Sequence, residues 1–261
     1  MAELLCQYKT SRKIIIIFVS LGFTFMRIRK RVLSNPVVFT VLKHLGVKQF
    51  FGQNKEDKTI ADYFGIFKGT LLSVGENDGT TFSNVFYFIL RGWKADLVEP
   101  STRAYRKLCN LHSGRPEVHI HKIAIGAKTG ECVFFDSGEL EGIGDTSLVS
   151  TLNGEEIKKW PQTQFSQTTV SAYSFQDFMD SISFYKKYDL ISIDAESMDL
   201  TILSQMDLEK LGCRCVIVEF GGSGELRSKM GAHCAKYGLF LSQETPENLI
   251  FTKKTDVPPT L

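Results

Sequence analysis

The sequence predicts an α/β domain built on an open, doubly wound and mostly parallel sheet, and three observations carry that prediction. Short apolar runs at Leu71–Val74, Ala95–Val98, Tyr188–Ile193 and Cys215–Val218 alternate with helix-period segments. That is the pattern of strands covered on both faces by crossover helices. The first run ends in Gly75, Gly79 follows, and the run after it closes on Glu99-Pro100. Strand, glycine turn, helix, strand and terminal acid together are the layout of a nucleoside-cofactor pocket. Polar residues also cluster wherever an apolar run ends: Glu76, Asn77 and Asp78, then Glu99, then Asp194 and Glu196, then Glu219. In such sheets, ligands bind outside the carboxyl ends of the strands.

The chain has 261 residues, 43% of them hydrophobic, and a net charge of +2, enough for one large domain. Two parts are expected: an N-terminal extension over 1–50 and a main domain over 51–261. Lys9, Arg12, Lys13, Arg27, Arg29, Lys30 and Arg31 crowd the extension. No basic stripe crosses the main body, which argues against nucleic acid as a partner. Ile14–Met26 is a predominantly apolar stretch, uninterrupted by any charge, between those cations. As a helix it reaches about 20 Å, against a hydrocarbon core of roughly 30 Å. It reads as a signal anchor, an interfacial helix or a helix docked on the domain, so membrane association is expected but its form is open. Six cysteines lie scattered, and only Cys213 and Cys215 are close. Their spacing is neither that of a zinc site nor that of a redox motif.

Each element follows in order. Lys55–Phe67 reads as a helix leading into the first strand. A second helix is expected from Phe82 to Arg91-Gly92, and Ser101 caps a third that runs to about Leu111. Val118–Ile125 reads as one strand, joined through Gly126–Gly130 in a hairpin to Glu131–Phe135. Asp136–Ser150, rich in Gly, Ser and Asp, suits a lid. Thr168–Ala172 alternates as a strand, Ser174–Ser181 is a short helix, and Met198–Gln205 follows the strand that ends at Ile193. Glu225–Tyr237 is helical, and Leu239–Ser242 with Leu249–Thr252 closes the sheet antiparallel.

Some residues point to chemistry. Glu99, at the end of the second strand, can accept hydrogen bonds from both ribose hydroxyls of a bound nucleoside. Asp194 and Glu196 share one side of the chain at i, i+2, where they can face one ligand or cap the next helix. Trp93 fits a packing role. His119 and His121 share a strand face and can be structural or ligate a metal, and Asp194, Glu196 and Glu219 can be drawn around a divalent ion. No metal is assigned.

The segments Leu72-Ser-Val-Gly-Glu-Asn-Asp-Gly79, Gly92-Trp-Lys-Ala-Asp-Leu-Val-Glu-Pro100, Ile123-Ala-Ile-Gly-Ala-Lys-Thr-Gly130 and Ile193-Asp-Ala-Glu-Ser-Met-Asp-Leu-Thr-Ile-Leu203 occur in the order found in one family. From about Phe51 to Phe251 the chain resembles the FkbM-type methyltransferases, which are enzymes of the class I Rossmann-like fold. The resemblance implies S-adenosylmethionine as cofactor, held by Ser73, Gly75, Asn77, Gly79, Glu99, Ala124 and Asp194. It also implies an acceptor hydroxyl on a sugar, glycolipid or small metabolite. Asp194 and Glu196 are then the catalytic pair, with Asp194 positioning the cofactor and Glu196 taking the hydroxyl proton. Glu196 and Glu219 face the acceptor. The chain departs from the pattern at Ser73, where the family usually has an Asp that helps hold the methionine end of the cofactor. It departs also at Glu76 in place of a small residue, at Ser197 in place of Gly and at Asp199 in place of Glu. Two other classes compete. One is a non-catalytic, membrane-tethered binding protein on the same fold. The other is a nicotinamide dehydrogenase, disfavoured because the turn has no third glycine and no tyrosine has a lysine four residues on.

Overall fold

The computed structural model describes residues 50–140, 144–145 and 148–254. The Ile14–Met26 segment and its membrane reading lie outside those residues. Among the described residues, no helix is long and apolar enough to cross a membrane. The described chain enters through α1 (Glu56–Phe64) and β1 (Thr70–Val74), then passes through α2 (Phe86–Leu90), β2 (Lys94–Val98), α3 (Thr102–His112) and β3 (Val118–His121). An insertion follows, with β4 (Ala124–Ile125), β5 (Gly130–Ser137), β6 (Glu139–Leu140), β7 (Gly144–Asp145) and β8 (Phe165–Tyr173). Next, α4 (Phe175–Asp177) runs on as a π-helical turn, Phe178–Ile182, towards β9 (Leu190–Ile193). Then come α5 (Asp199–Leu203), β10 (Cys215–Glu219), α6 (Gly224–Ala235), β11 (Leu239–Glu244) and β12 (Asn248–Lys253).

Seven strands form the main sheet in the order β11-β12-β10-β9-β1-β2-β3. Only β12 runs against the others, pairing antiparallel with β10 and β11. Period-two alternation divides the core between the two faces. Leu71, Ala95, Leu97, Leu190, Cys215 and Ile217 pack with Ile60, Phe64, Phe88 and Leu108, from the side of α1, α2 and α3. Leu72, Val74, Val98, Ile191, Ile193, Val216 and Val218 pack with Phe178, Ile202, Leu203 and Met230, from the side of α4, α5 and α6. Each strand is therefore apolar on both faces, which is why it reads as a continuous run. Trp93 takes the packing role, 2% exposed and edge-on to Phe64 and Phe88.

Three local expectations are corrected. The helix expected from Phe82 begins only at Phe86. Ser83 Oγ accepts the Phe86 N–H at 2.9 Å, so the polar Ser83-Asn84 pair starts the helix and Phe82 stays in the turn. The strand expected over Val118–Ile125 divides, since β3 belongs to the large sheet while β4 joins a second sheet of order β4-β8-β5. The hairpin across Gly126–Gly130 does not form, because β8 lies between its two arms, parallel to β4 and antiparallel to β5. β8 follows β5 by a long connection, and it offers β5 a register of eight residue pairs from Gly130 to Ser137. No such length was open to a hairpin partner as short as β4.

β1 lies between β2 and β9. The chain crosses from β1 to β2 and β3 on one side, and returns to β9 and β10 on the other. The carboxyl end of β1 is therefore the topological switch point, where the crevice of such a sheet opens.

Candidate active site

A cavity of about 550 Å³ occupies that position. Its floor is the carboxyl edge of the sheet, reached by Ser73 on β1, Gly75 and Glu76 after it, Glu99 after β2, Asp194 and Glu196 after β9, and Glu219 on β10. Ser73 and Ser192 are register partners in the two central strands, and their small side chains leave space above the sheet. Ala124, Ile125, Phe134 and 148–152 bring the insertion over one side. That places the described end of the expected lid against the cavity. Thr151 Oγ1 donates to the Glu196 carbonyl at 2.8 Å, and Asn153 Nδ2 donates to Ser197 Oγ at 3.1 Å, so the insertion is fastened to the loop that carries the acids.

The glycine turn is shaped by close approach. Gly75 has φ 81°, and a Cβ there would stand 1.7 Å from the Asp194 carbonyl oxygen. The turns after β1 and β9 thus touch through a position that only glycine can fill. Gly79 is different. A Cβ there would meet Leu108 and Leu111 of α3 at 2.6 and 2.7 Å, and Gly79 is not among the described residues that line the cavity. Its missing side chain makes room for a helix, not for a ligand. Asp78 turns inward on its own loop, accepting the Thr80 and Thr81 N–H groups at 2.9 and 2.7 Å.

Glu99 accepts the Asn77 N–H at Oε2 and the Ser101 N–H at Oε1, both at 2.8 Å. An ionised carboxylate offers about four acceptor sites, so two remain for the hydroxyls of a ribose. Burial pushes Glu99 up to about 8, against the opposing pull of those two N–H groups. Glu76 is pushed up to about 7, again chiefly by burial. The carboxylate oxygens of Asp194, Glu196 and Glu219 lie within 4.8 Å of one another, compact enough to share a proton or a divalent ion. Burial raises all three; the Asp194 charge further opposes ionisation of Glu196 and Glu219, while a hydrogen bond with Glu219 favours the ionised form of Asp194. Asp199 stays behind the site. It accepts the Ala195 N–H at 2.8 Å and the Ser197 N–H at 3.1 Å, and so fixes the loop on which Glu196 stands.

The histidine alternative is answered by other partners. His121 Nε2 lies 2.6 Å from Asp96 Oδ1, and His119 stacks on Phe184 with ring centroids 3.6 Å apart. Ser83, Thr151, Trp160 and Asn248 line the cavity without having been expected there. Only Ser83 had a local signal, as a helix-capping residue before an apolar run. The others arrive from the insertion and from the β11–β12 hairpin, distant in sequence.

Six carboxylates line the cavity (Glu76, Glu99, Asp194, Glu196, Glu219 and Glu247), and no Lys, Arg or His stands among the described lining residues. Such a wall repels a dinucleotide pyrophosphate and suits a cation. S-adenosylmethionine, with a sulfonium and an ammonium group, fits that set of donors and charges. Ser73, Gly75, Asn77, Glu99, Ala124 and Asp194, the residues expected to hold it, all line the cavity.

No curated protein matches the sequence. Among solved structures, an FkbM methyltransferase from Methylobacillus flagellatus is 12% identical, with 70% of this chain and 43% of that one covered and a TM-score of 0.43. A ribosomal protein L11 methylase from Lactobacillus delbrueckii is 11% identical over 78% of this chain and 79% of its own, also at 0.43. Fibrillarin from Aeropyrum pernix, solved with natively bound S-adenosyl-L-methionine, is 11% identical over 71% and 66%, at 0.38. Superpositions at this level carry no weight in the assignment, which rests on sequence: residues 73–237 match the methyltransferase FkbM domain. The chain therefore belongs to the family of FkbM methyltransferase domains, enzymes that take their methyl group from S-adenosylmethionine.

Proposed function

We propose that the protein is an O-methyltransferase acting on a hydroxyl of a sugar, glycolipid or small metabolite. The observation that carries this reading is the acid group at the β9 and β10 ends. When bound, the cofactor supplies an electrophilic methyl carbon. Asp194, nearest the glycine turn, positions the cofactor beside β1. Glu196 would accept the acceptor's hydroxyl proton and so ready that oxygen for attack. The proton moves late, because a carboxylate is a weak base for an alcohol. Burial raises Glu196 well above the usual carboxylate range, which strengthens it as a base once the neighbouring cation has favoured its ionised form. Glu219 can accept a further hydrogen bond from the acceptor. Trp160, 36% exposed at the cavity wall, gives an aromatic face against which a sugar ring can lie. The apolar Ile14–Met26 stretch with its basic flanks brings glycolipids into the class.

The test is mass spectrometry of products formed from isotopically labelled cofactor and extracts, followed by two substitutions. Glu196→Gln should leave cofactor affinity nearly intact and lower turnover by about 10²-fold or more. Asp194→Asn should damage cofactor binding and turnover together. An active Glu196→Gln enzyme removes that residue from the chemistry. Activity that returns only with an added divalent ion reassigns the three acids to holding metal.

A further inference from the structure

Two departures from the family pattern touch each other. Glu76 stands in the glycine turn, where the pattern has a small residue, and Ser73 stands on β1, where the pattern has an acid. Ser73 Oγ donates to Glu76 Oε2 at 2.6 Å, and Ser83 Oγ donates to Glu76 Oε1 at 2.6 Å. The side chain thus folds back over the end of β1, and its carboxylate lies beside the position from which an acid is missing. Glu76 is 5% exposed and faces the cavity, as do both serines.

A purely structural role would need only an acceptor for two hydroxyls, and a neutral amide would provide it. A carboxylate here is a costly choice, since it is desolvated and opposed by Asp78 and Asp194. Its two oxygens accept one hydroxyl each, and further acceptor sites are left over. Along the carboxyl edge of the sheet the strands run β2, β1, β9, β10, so the acids stand in the order Glu99, Glu76, Asp194, Glu219. Glu99 marks the ribose and Glu196 and Glu219 mark the acceptor. Glu76 lies between them, over the end of the central strand β1.

We propose that Glu76 is the anionic anchor for the α-ammonium group of S-adenosylmethionine, a carboxylate shifted from strand position 73 to turn position 76 and held there by Ser73 and Ser83. Ser73 is then a holder of the acid and not a sign of decay. The inference rests on the cofactor assigned above.

Calorimetry with three ligands tests it. S-adenosylmethionine carries both cations, S-adenosylhomocysteine keeps only the ammonium, and 5′-methylthioadenosine keeps the adenosine and sulfur without the ammonium. In Glu76→Gln, the first two should bind about tenfold or more weakly, and 5′-methylthioadenosine should bind within about twofold of the unaltered protein. Adding Ser73→Asp to Glu76→Gln should recover most of the lost affinity for S-adenosylhomocysteine. Equal weakening of all three ligands would show a structural prop for the turn and overturn the proposal. So would no weakening, or weakening of S-adenosylmethionine alone, which would make Glu76 a partner of the sulfonium. If Glu76→Gln does not fold, Glu76→Ala with Ser73→Asp returns an acid to the strand, and its failure to bind S-adenosylhomocysteine counts against the proposal. Should the unaltered protein bind none of the three, the cofactor assignment fails, and this is seen before any substitution is made.

Discussion

Ser197 holds a backbone conformation that its own side chain opposes. Its φ is 78°, in the left-handed region that costs an L-residue roughly 1–2 kcal/mol, at a position where the family pattern has glycine. Its side chain gives back little, accepting one exposed hydrogen bond from Asn153. Ser197→Gly should therefore raise unfolding stability by roughly 0.5–1 kcal/mol once the entropy of glycine is charged against the relief of strain. Denaturant unfolding checks it, and a loss of stability would show that the Asn153 contact outweighs the strain. At this scale, much of the site was legible in the sequence. Glu99, Asp194, Glu196 and Glu219 are acids placed where apolar runs stop, and each reaches the cavity. Gly79 was misleading because a missing Cβ records close approach without naming the neighbour, and here the neighbour is α3. Ser73 and Glu76 looked like two separate departures because their contact depends on how the turn folds back, which spacing along the chain does not encode.

Between elements, the buried carboxylate of Asp96 does the joining. It is fully buried on β2 and accepts from the Tyr188 hydroxyl at 2.6 Å and the Tyr185 N–H at 2.9 Å, with His121 of β3 at 2.6 Å. Burial works to raise it, but the bonds from His121, Tyr188 and the Tyr185 N–H outweigh burial and hold it below the usual carboxylate range. β2, β3 and the approach to β9 are thereby tied through the middle of β2. Tyr188→Phe removes a donor from a buried charge and should cost about 1–3 kcal/mol of stability. Cofactor affinity should be unchanged, since neither residue lines the cavity. A fall in affinity measured on the folded variant would show that this network is coupled to the cavity. The parallel strands were legible because burial on both faces leaves an unbroken apolar run. The insertion was not, because β4, β5 and β8 form one sheet through a long-range pairing, and a glycine turn between two short runs reads locally as a hairpin.

Across the whole molecule, the acid-lined cavity makes stability and ligand binding depend on pH in a direction that can be worked out. Burial raises Glu76 to about 7 and Glu99 to about 8 from an ordinary value of 4.5. Between those limits the folded protein holds protons that the unfolded chain has released, so unfolding free energy falls as pH rises, by up to about 1.4 kcal/mol per pH unit for each group. Asp57, raised to about 7, and the Asp194, Glu196 and Glu219 group act with the same sign. His112 opposes them. Burial lowers it to about 3, so it favours the folded state increasingly as pH rises towards 6.5 and contributes no further change above that. Asp96, held low, matters only in stronger acid. The window free of opposing effects is therefore pH 6.5 to 8, where the ligand-free protein should lose thermal stability steadily as pH rises. A cationic cofactor reverses the sign for itself, because it stabilises the ionised carboxylates. Its affinity should strengthen across the same window, with protons released on binding and visible as a buffer-dependent binding enthalpy. The melting temperature of the saturated protein should accordingly fall less from pH 6.5 to 8 than that of the ligand-free protein. Parallel melting curves in the two states, with no proton release, would mean that the cavity acids are already ionised without the cofactor and that their burial is not what tunes its binding.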